Sequence, residues 1–254
     1  MIPISVLFVI PARLASHRLP RKMLLPLDEE RNGSVIQLTY EAVRRSRYAR
    51  ADNTIIATCD EEIQTVAEGF GAKVCMTSST CKSGSDRVEE VARKLASVHQ
   101  VDAIVNVQGD EPFVSADHID ASVNGLLENS WSDVATCAVL MSGPPSPEIS
   151  KVKVVCANNG KALYFSRRPI PFNGKYWRRH IGIYAFRPSV LHAFTNLPPS
   201  SLEMSEDLEQ LRLLENGFNI HVTSVNSDAF GGIDTIQDYE RAKQFLAQCK
   251  SSTH

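Results

Sequence analysis

Short runs of apolar, mostly β-branched residues alternate with segments of helical periodicity through the first half of the chain. Residues 6–10 predict a strand, 35–48 a helix, 54–58 a strand, 61–70 a helix and 73–76 a short strand. In 86–95 the apolar positions Val88, Val91, Ala92 and Leu95 recur at helical spacing, and 103–107 predict another buried strand. Near-continuous apolar strands separated by helices predict an α/β fold: a doubly wound, mostly parallel sheet covered on both faces. Such sheets take ligands beyond the carboxyl ends of their strands.

The rhythm breaks at Ser142-Gly-Pro-Pro-Ser-Pro147, whose three prolines mark a boundary. Beyond it, residues 151–157 and 161–165 flank Asn158-Asn159-Gly160, a hairpin signal, and 180–186 predict a further strand. Ser200-x-x-Glu203 reads as a capping box opening one helix that carries Met204, Leu208 and Leu211 and ends at Gly217. Residues 143–217 are therefore expected to form a smaller inserted lobe of antiparallel character. The remaining core comprises 1–142 and 218–254, with a strand at 220–225 and a last helix at 236–247.

Composition narrows the function classes. A chain of 254 residues, 43% hydrophobic, suffices for one large α/β domain with an insertion. A formal charge of −2 gives no extended basic field, which argues against a nucleic-acid partner. No window approaches the roughly 18 apolar residues of a membrane span, so no membrane insertion is expected. The apolar residues 2–10 lack a preceding basic segment and contain Pro3, and read as a first buried strand. The six cysteines form no CxxC pair and the seven histidines no HExxH, which fits reduced thiols in a cytoplasmic protein.

Five segments could carry chemistry, and each has a plainer reading. The first strand is followed by a loop with Arg13, Arg18, Arg21 and Lys22. It could cradle phosphates or be a solvated basic loop; it holds neither GxGxxG nor a Walker pattern. Val105-Asn-Val-Gln108-Gly109-Asp110-Glu111-Pro112 delivers carboxylates at a strand end, suited to a metal–nucleotide site or to an ordinary polar turn. Gly231-Gly232-Ile233-Asp234 places a carboxylate before the last helix, as a metal ligand or as its N-cap. Ser83-Gly84-Ser85-Asp86-Arg87 stands at a helix start, as a binding loop or as a cap. Glu206, Glu209 and Gln210 could share one helix face, which is otherwise a solvated one.

Taken together, IPARLASHRLPRKML, SGSDR, VNVQGDEP, ALYFSRRPIP, HIGIYAFR, LEMSEDLEQLRLLENG and GIDTIQDYERA resemble the successive signatures of the 3-deoxy-manno-octulosonate cytidylyltransferases, from about residue 5 to 245. The resemblance implies a nucleotide-diphospho-sugar transferase type of fold, a homodimer, a Mg²⁺ cofactor, and CTP and 3-deoxy-manno-octulosonate as substrates. It implies transfer of CMP to the sugar's anomeric hydroxyl for lipopolysaccharide biosynthesis. Alternatives are another sugar-acid cytidylyltransferase, such as a CMP-sialic acid synthetase, or a non-catalytic nucleotide-binding relative. By matching motif, Ala12, Arg13, Lys22, Ser83, Gly84, Ser85, Arg87 and Gln108 would bind the nucleotide. Arg18 and Lys22 would act on its phosphates, and Asp110 and Asp234 would hold the metal. Arg167, His180, Tyr184, Glu209 and Gln210 would grasp the sugar. The phosphate loop departs from the common RLPGKPL in having Arg21 and Met23 for Gly and Pro.

Overall fold

The computed structural model describes residues 4–31, 33–95 and 101–251. They fall into two compact units. The first gathers Leu7–Leu95, Asn106–Ala116 and Ala229–His254, and the second Met1–Val6, Ala96–Val105 and Asp117–Asp228.

The first unit is built on parallel strands. β1 (Val6–Pro11) enters it at Leu7 and is buried throughout, as is β4 (Thr54–Thr58), whereas β5 (Lys73–Met76) is only partly covered. β1 pairs with β4 and β4 with β5, all in parallel, with Ile10 opposite Ile56 and Ile56 opposite Val74. Strands buried at every position need cover on both faces, and the intervening helices are the natural source of it. These are α1 (Val35–Val43), α2 (Glu61–Gly69) and α3 (Gly84–Lys94). α1 is shorter than its pattern predicts, because residues 44–50 continue as turns around Ser46 and Asn53. A small hairpin of β2 (Pro26–Asp28) and β3 (Gly33–Ser34) packs on α8 (Ile236–Ser251). Asp28 is buried there, yet hydrogen bonds from Lys250 and Arg31 outweigh the burial and hold its carboxyl at about 2.

β6 (Ala103–Asn106) runs into the first unit's segment 106–116. Val107 N donates to Val9 O at 3.2 Å and Gly109 N to Pro11 O at 3.2 Å, so this segment follows the end of β1. A Cβ on Gly109 would stand 2.8 Å from Pro11 O, which is why glycine fits that approach. Phe113 is packed edge-on against Phe230 and Phe245, and Ile233 is fully buried beside Leu27 and Val35. These contacts fix residues 229–234 beside Asp110.

The second unit carries α4 (Ala116–Glu128), β7 (Val134–Ser142), β8 (Lys153–Cys156), β9 (Ala162–Ser166), β10 (Tyr176–Phe186), α5 (Pro188–Thr195), α6 (Ser201–Glu206), α7 (Gln210–Glu215) and β11 (Ile220–Val225). β11 lies parallel to β7, and β10 is antiparallel to both β7 and β8. β8 and β9 form the expected hairpin, closed by Gly160 at φ +83°. Residues 143–217 all lie in this unit, together with 117–142 and 218–228, because β7 pairs with both β10 and β11. The single helix expected after Ser200 is two. Asp207 takes a left-handed turn at φ 53°, which breaks the helix and buries Leu208, while Met204 remains 69% exposed. Asp tolerates that conformation better than most residues. The Glu203 half of the predicted capping box is present, with Ser200 N donating to Glu203 Oε2 at 3.1 Å.

Candidate active site

The loop after β1 is tied down along its length. Ala12 N donates to Ala57 O at 2.9 Å, Leu14 N to Asp60 Oδ2 at 2.8 Å, and Arg21 N back to Leu14 O at 3.2 Å. Arg21 adopts φ 60°, the left-handed conformation that glycine accepts most readily, and pairs through its guanidinium with Glu62. The substitution of Arg for the common Gly therefore keeps the turn and adds an anchor to α2. A single 3-10 turn, Lys22–Leu24, follows and directs Lys22 inward, leaving its side chain 9% exposed.

Four charges meet at this point. The Lys22 ammonium hydrogen-bonds Asp110 Oδ2 and, at 2.9 Å, Asp234 Oδ1; Arg18 reaches the same Asp234 oxygen at 3.0 Å. Burial works against the Lys22 charge, but Asp110 and then Asp234 outweigh it and raise its pKa above the usual lysine value. Ile233 N donates to Asp110 O at 2.9 Å, which ties together two segments over a hundred residues apart. The helix-cap reading of Asp234 does not hold. Thr235 and Asp238 cap α8 between them, with Asp238 accepting from Thr235 N at 2.9 Å and returning its own N–H to Thr235 Oγ1 at 3.2 Å. Asp238 also accepts the Asp234 N–H at 3.2 Å, so the Asp234 carboxylate is left for Lys22 and Arg18.

Around these charges lies an open cleft of about 280 Å³, lined by Ala12, Arg13, Arg18, Lys22, Ser83, Gly84, Arg87, Gln108, Asp110 and Asp234. Ser83 does cap α3, in a reciprocal box with Asp86, so that segment serves both as cap and as cleft wall. Gly84 lies close to Gln108: a Cβ there would stand 3.1 Å from the Gln108 amide, which would have to give by a few tenths of an ångström. Arg87 is buried and donates to Thr77 Oγ1. Ser85 is buried and does not line the cleft, because its position in the first turn of α3 faces the core. Ser16, His17 and Cys81 also line the cleft. The first two belong to the loop already singled out; Cys81 had no signal beyond lying two residues before Ser83.

The residues assigned to the sugar all belong to the second unit. His180 is buried, bonded through Nε2 to Thr136 Oγ1 at 2.9 Å, and packed between Phe165 and Tyr184 at ring distances of 5.0 and 5.4 Å. Burial lowers its pKa to about 3, so the ring is neutral at ordinary pH. Burial, then the charge of Glu209, raises the Tyr184 hydroxyl well above its usual range. Gln210 is buried at the start of α7. Arg167 is braced by the α6–α7 break, donating to Glu206 O and Asp207 O at 3.0 Å each and to Ile149 O at 3.2 Å. Glu206 does not share a face with Glu209 and Gln210. It turns to β9, accepting from Ser166 Oγ at 2.8 Å and Arg167 N at 2.9 Å. Lys153, fully buried, donates to Arg167 O at 2.9 Å. Nothing in the strand pattern of 151–157 marks it as an inward-facing lysine.

A parallel α/β unit with a basic loop after its first strand, and two carboxylates brought beside that loop, is the framework of a nucleotidyltransferase. The cytidylyltransferase family profile matches residues 7–222. The 3-deoxy-manno-octulosonate cytidylyltransferases of Chlorobium phaeobacteroides and Chloroherpeton thalassium are each 41% identical to this chain, over 95% and 96% of it and 97% and 98% of their own lengths. A solved CMP:2-keto-3-deoxy-manno-octonic acid synthetase complexed with CTP is 35% identical, with a TM-score of 0.85 over 96% of this chain and 99% of that one. A 4-diphosphocytidyl-2C-methyl-D-erythritol synthase from Anaerococcus prevotii shares the fold, at 15% identity and a TM-score of 0.64. This chain belongs to the 3-deoxy-manno-octulosonate cytidylyltransferase family and is an enzyme of the nucleotidyltransferase class.

Proposed function

We propose that the chain transfers the cytidylyl group of CTP to the anomeric hydroxyl of 3-deoxy-manno-octulosonate, supplying CMP-sugar for lipopolysaccharide assembly. The observation that carries this reading is the meeting of Lys22, Arg18, Asp110 and Asp234 at one point of the cleft. The anomeric oxygen forms a bond to the α-phosphorus as the bond to the β-phosphate oxygen breaks; pyrophosphate leaves and the hydroxyl proton passes to solvent. Such a transfer depends mainly on positioning and on neutralising phosphate charge. Arg18 and Lys22 neutralise the departing pyrophosphate, with Arg13 on the same loop. Ser83, Gly84, Arg87 and Gln108 form the wall against which the nucleoside is placed. Arg167 pairs with the sugar carboxylate, and neutral His180, Tyr184, Glu209 and Gln210 hydrogen-bond its hydroxyls.

Asp110 and Asp234 fit a magnesium ion. They converge on a single ammonium, so they are spaced to share one cation, and both offer hard oxygen donors. Among the described residues no group of three or more ligating side chains gathers, so Asp110 and Asp234 would hold the ion as a pair, together with substrate phosphates and water as Mg²⁺ commonly requires. When bound, the ion would neutralise the reacting phosphate and lower the pKa of a coordinated hydroxyl.

Among the described residues no helix is long and apolar enough to cross a membrane. The six cysteines are free, which supports a cytoplasmic location. A homodimer is supported by apolar side chains exposed on the second unit: Leu140, Leu163, Tyr176 and, at 91%, Phe172.

Pyrophosphate release should be measured with each of the four nucleoside triphosphates against octulosonate, sialic acid and no acceptor. Release is expected with CTP and octulosonate, at well over ten times the kcat/KM of ATP or GTP, because a polar site rejects a wrong base by leaving buried groups unpaired. Equal rates with all four, or faster release with sialic acid, would contradict the assignment.

A further inference from the structure

Lys22 stands where a shared cation would stand. Its ammonium contacts one oxygen of each carboxylate, Asp110 and Asp234, and its side chain is enclosed at 9% exposure. Arg18 holds the same Asp234 oxygen at 3.0 Å. Two carboxylates are thus balanced by two cations. We propose that Lys22 couples metal entry to nucleotide entry: its ammonium fills the cation position of Asp110 and Asp234 until the phosphates of a cytidine nucleotide draw it away, so the nucleotide-free protein binds a divalent ion poorly. The inference rests on the reading of these two residues as the metal pair.

The argument is one of charge and geometry. A divalent ion arriving alone meets oxygens already bonded to an ammonium, and adds two positive charges to a balanced set in a partly buried place. A nucleotide changes both conditions. Its phosphate oxygens are strong acceptors for Lys22 and Arg18; when Lys22 moves to them Asp110 Oδ2 is freed, and when Arg18 follows Asp234 Oδ1 is freed as well. The last turn before Lys22 is pinned at Arg21 by Glu62, so the backbone can stay fixed while the lysine side chain alone changes partner.

Mn²⁺ binding, followed by the loss of the free-ion electron paramagnetic resonance signal, tests this without reference to turnover. Nucleotide-free wild-type protein should bind Mn²⁺ at least tenfold more weakly than protein saturated with CDP, after correction for Mn²⁺ held by CDP alone. Equal affinity in the two states would overturn the proposal. Nucleotide-free Lys22→Met should bind Mn²⁺ at least tenfold more tightly than nucleotide-free wild type. Unchanged affinity in that variant, with a native circular dichroism spectrum, would also overturn it. Adding Asp110→Asn to Lys22→Met should abolish the gain. A gain that survives would place the ion elsewhere and overturn the metal-pair reading itself. If Lys22→Met does not fold, Lys22→Gln and the wild-type comparison carry the test.

Discussion

His180 shows how a single residue reports on its surroundings. It was assigned to the sugar by motif, and the structure makes it a neutral, buried ring bonded to Thr136. Its folded pKa, about 3, lies below the ordinary histidine value. The unfolded chain therefore takes up a proton near pH 6.5 that the folded chain refuses. The sign follows: stability is unaffected above pH 6.5 and falls as pH drops below it, by about 2 kcal/mol at pH 5. His180→Gln, which cannot titrate, should lose less melting temperature between pH 7 and pH 5 than wild type. Identical losses would show that the ring protonates freely in the fold. Arg21 teaches a complementary lesson. It stands where the common RLPGKPL has glycine, and its positive φ retains the turn. A sequence shows the residue type at such a position and not the conformation that selected glycine there.

At the scale of elements, the strands were the most legible part of the chain. Residues 54–58, 73–76 and 220–225 coincide with β4, β5 and β11, since short runs rich in Val, Ile and Thr fit a pleated, buried surface better than a helix. The helix broken at Asp207 was not legible. Met204, Leu208 and Leu211 have helical spacing, but the break puts Met204 outside the core that holds the other two. Nor were α4, β7 and α5 read; α4 and α5 mix apolar and polar residues, whereas β7 is a nearly continuous apolar run, VATCAVLM, that periodicity alone does not assign to strand or helix. The start of α8 separates two roles that the sequence left open. Asp238 and Thr235 supply the cap, so Asp238→Ala should cost about 1 kcal/mol of stability, in the range of a lost cap. Asp234→Asn should leave thermal unfolding almost unchanged. Differential scanning calorimetry of both variants checks the division. A larger loss in Asp234→Asn than in Asp238→Ala would reverse it.

For the molecule as a whole, the candidate site is assembled from segments distant in sequence that converge at the ends of buried strands. Loop 12–22 and the turn at Gly109 were both recognisable as strand-end segments. Their meeting with Asp234 depends on Ile233 N bonding Asp110 O and on the packing of Phe113, Phe230 and Phe245, which no local pattern announces. The family signatures found that pairing where periodicity could not. The central claim is that Asp110 and Asp234 act together on one ion during transfer. The most direct measurement is the kcat of Asp110→Asn, Asp234→Asn and the double variant at saturating CTP, octulosonate and Mg²⁺. Each single variant should lose roughly a hundredfold or more, corresponding to about 3 kcal/mol of transition-state stabilisation. The double variant should be little worse than the poorer single, since both residues serve one ion. Near-wild-type kcat in Asp234→Asn, or losses that multiply in the double variant, would contradict the account.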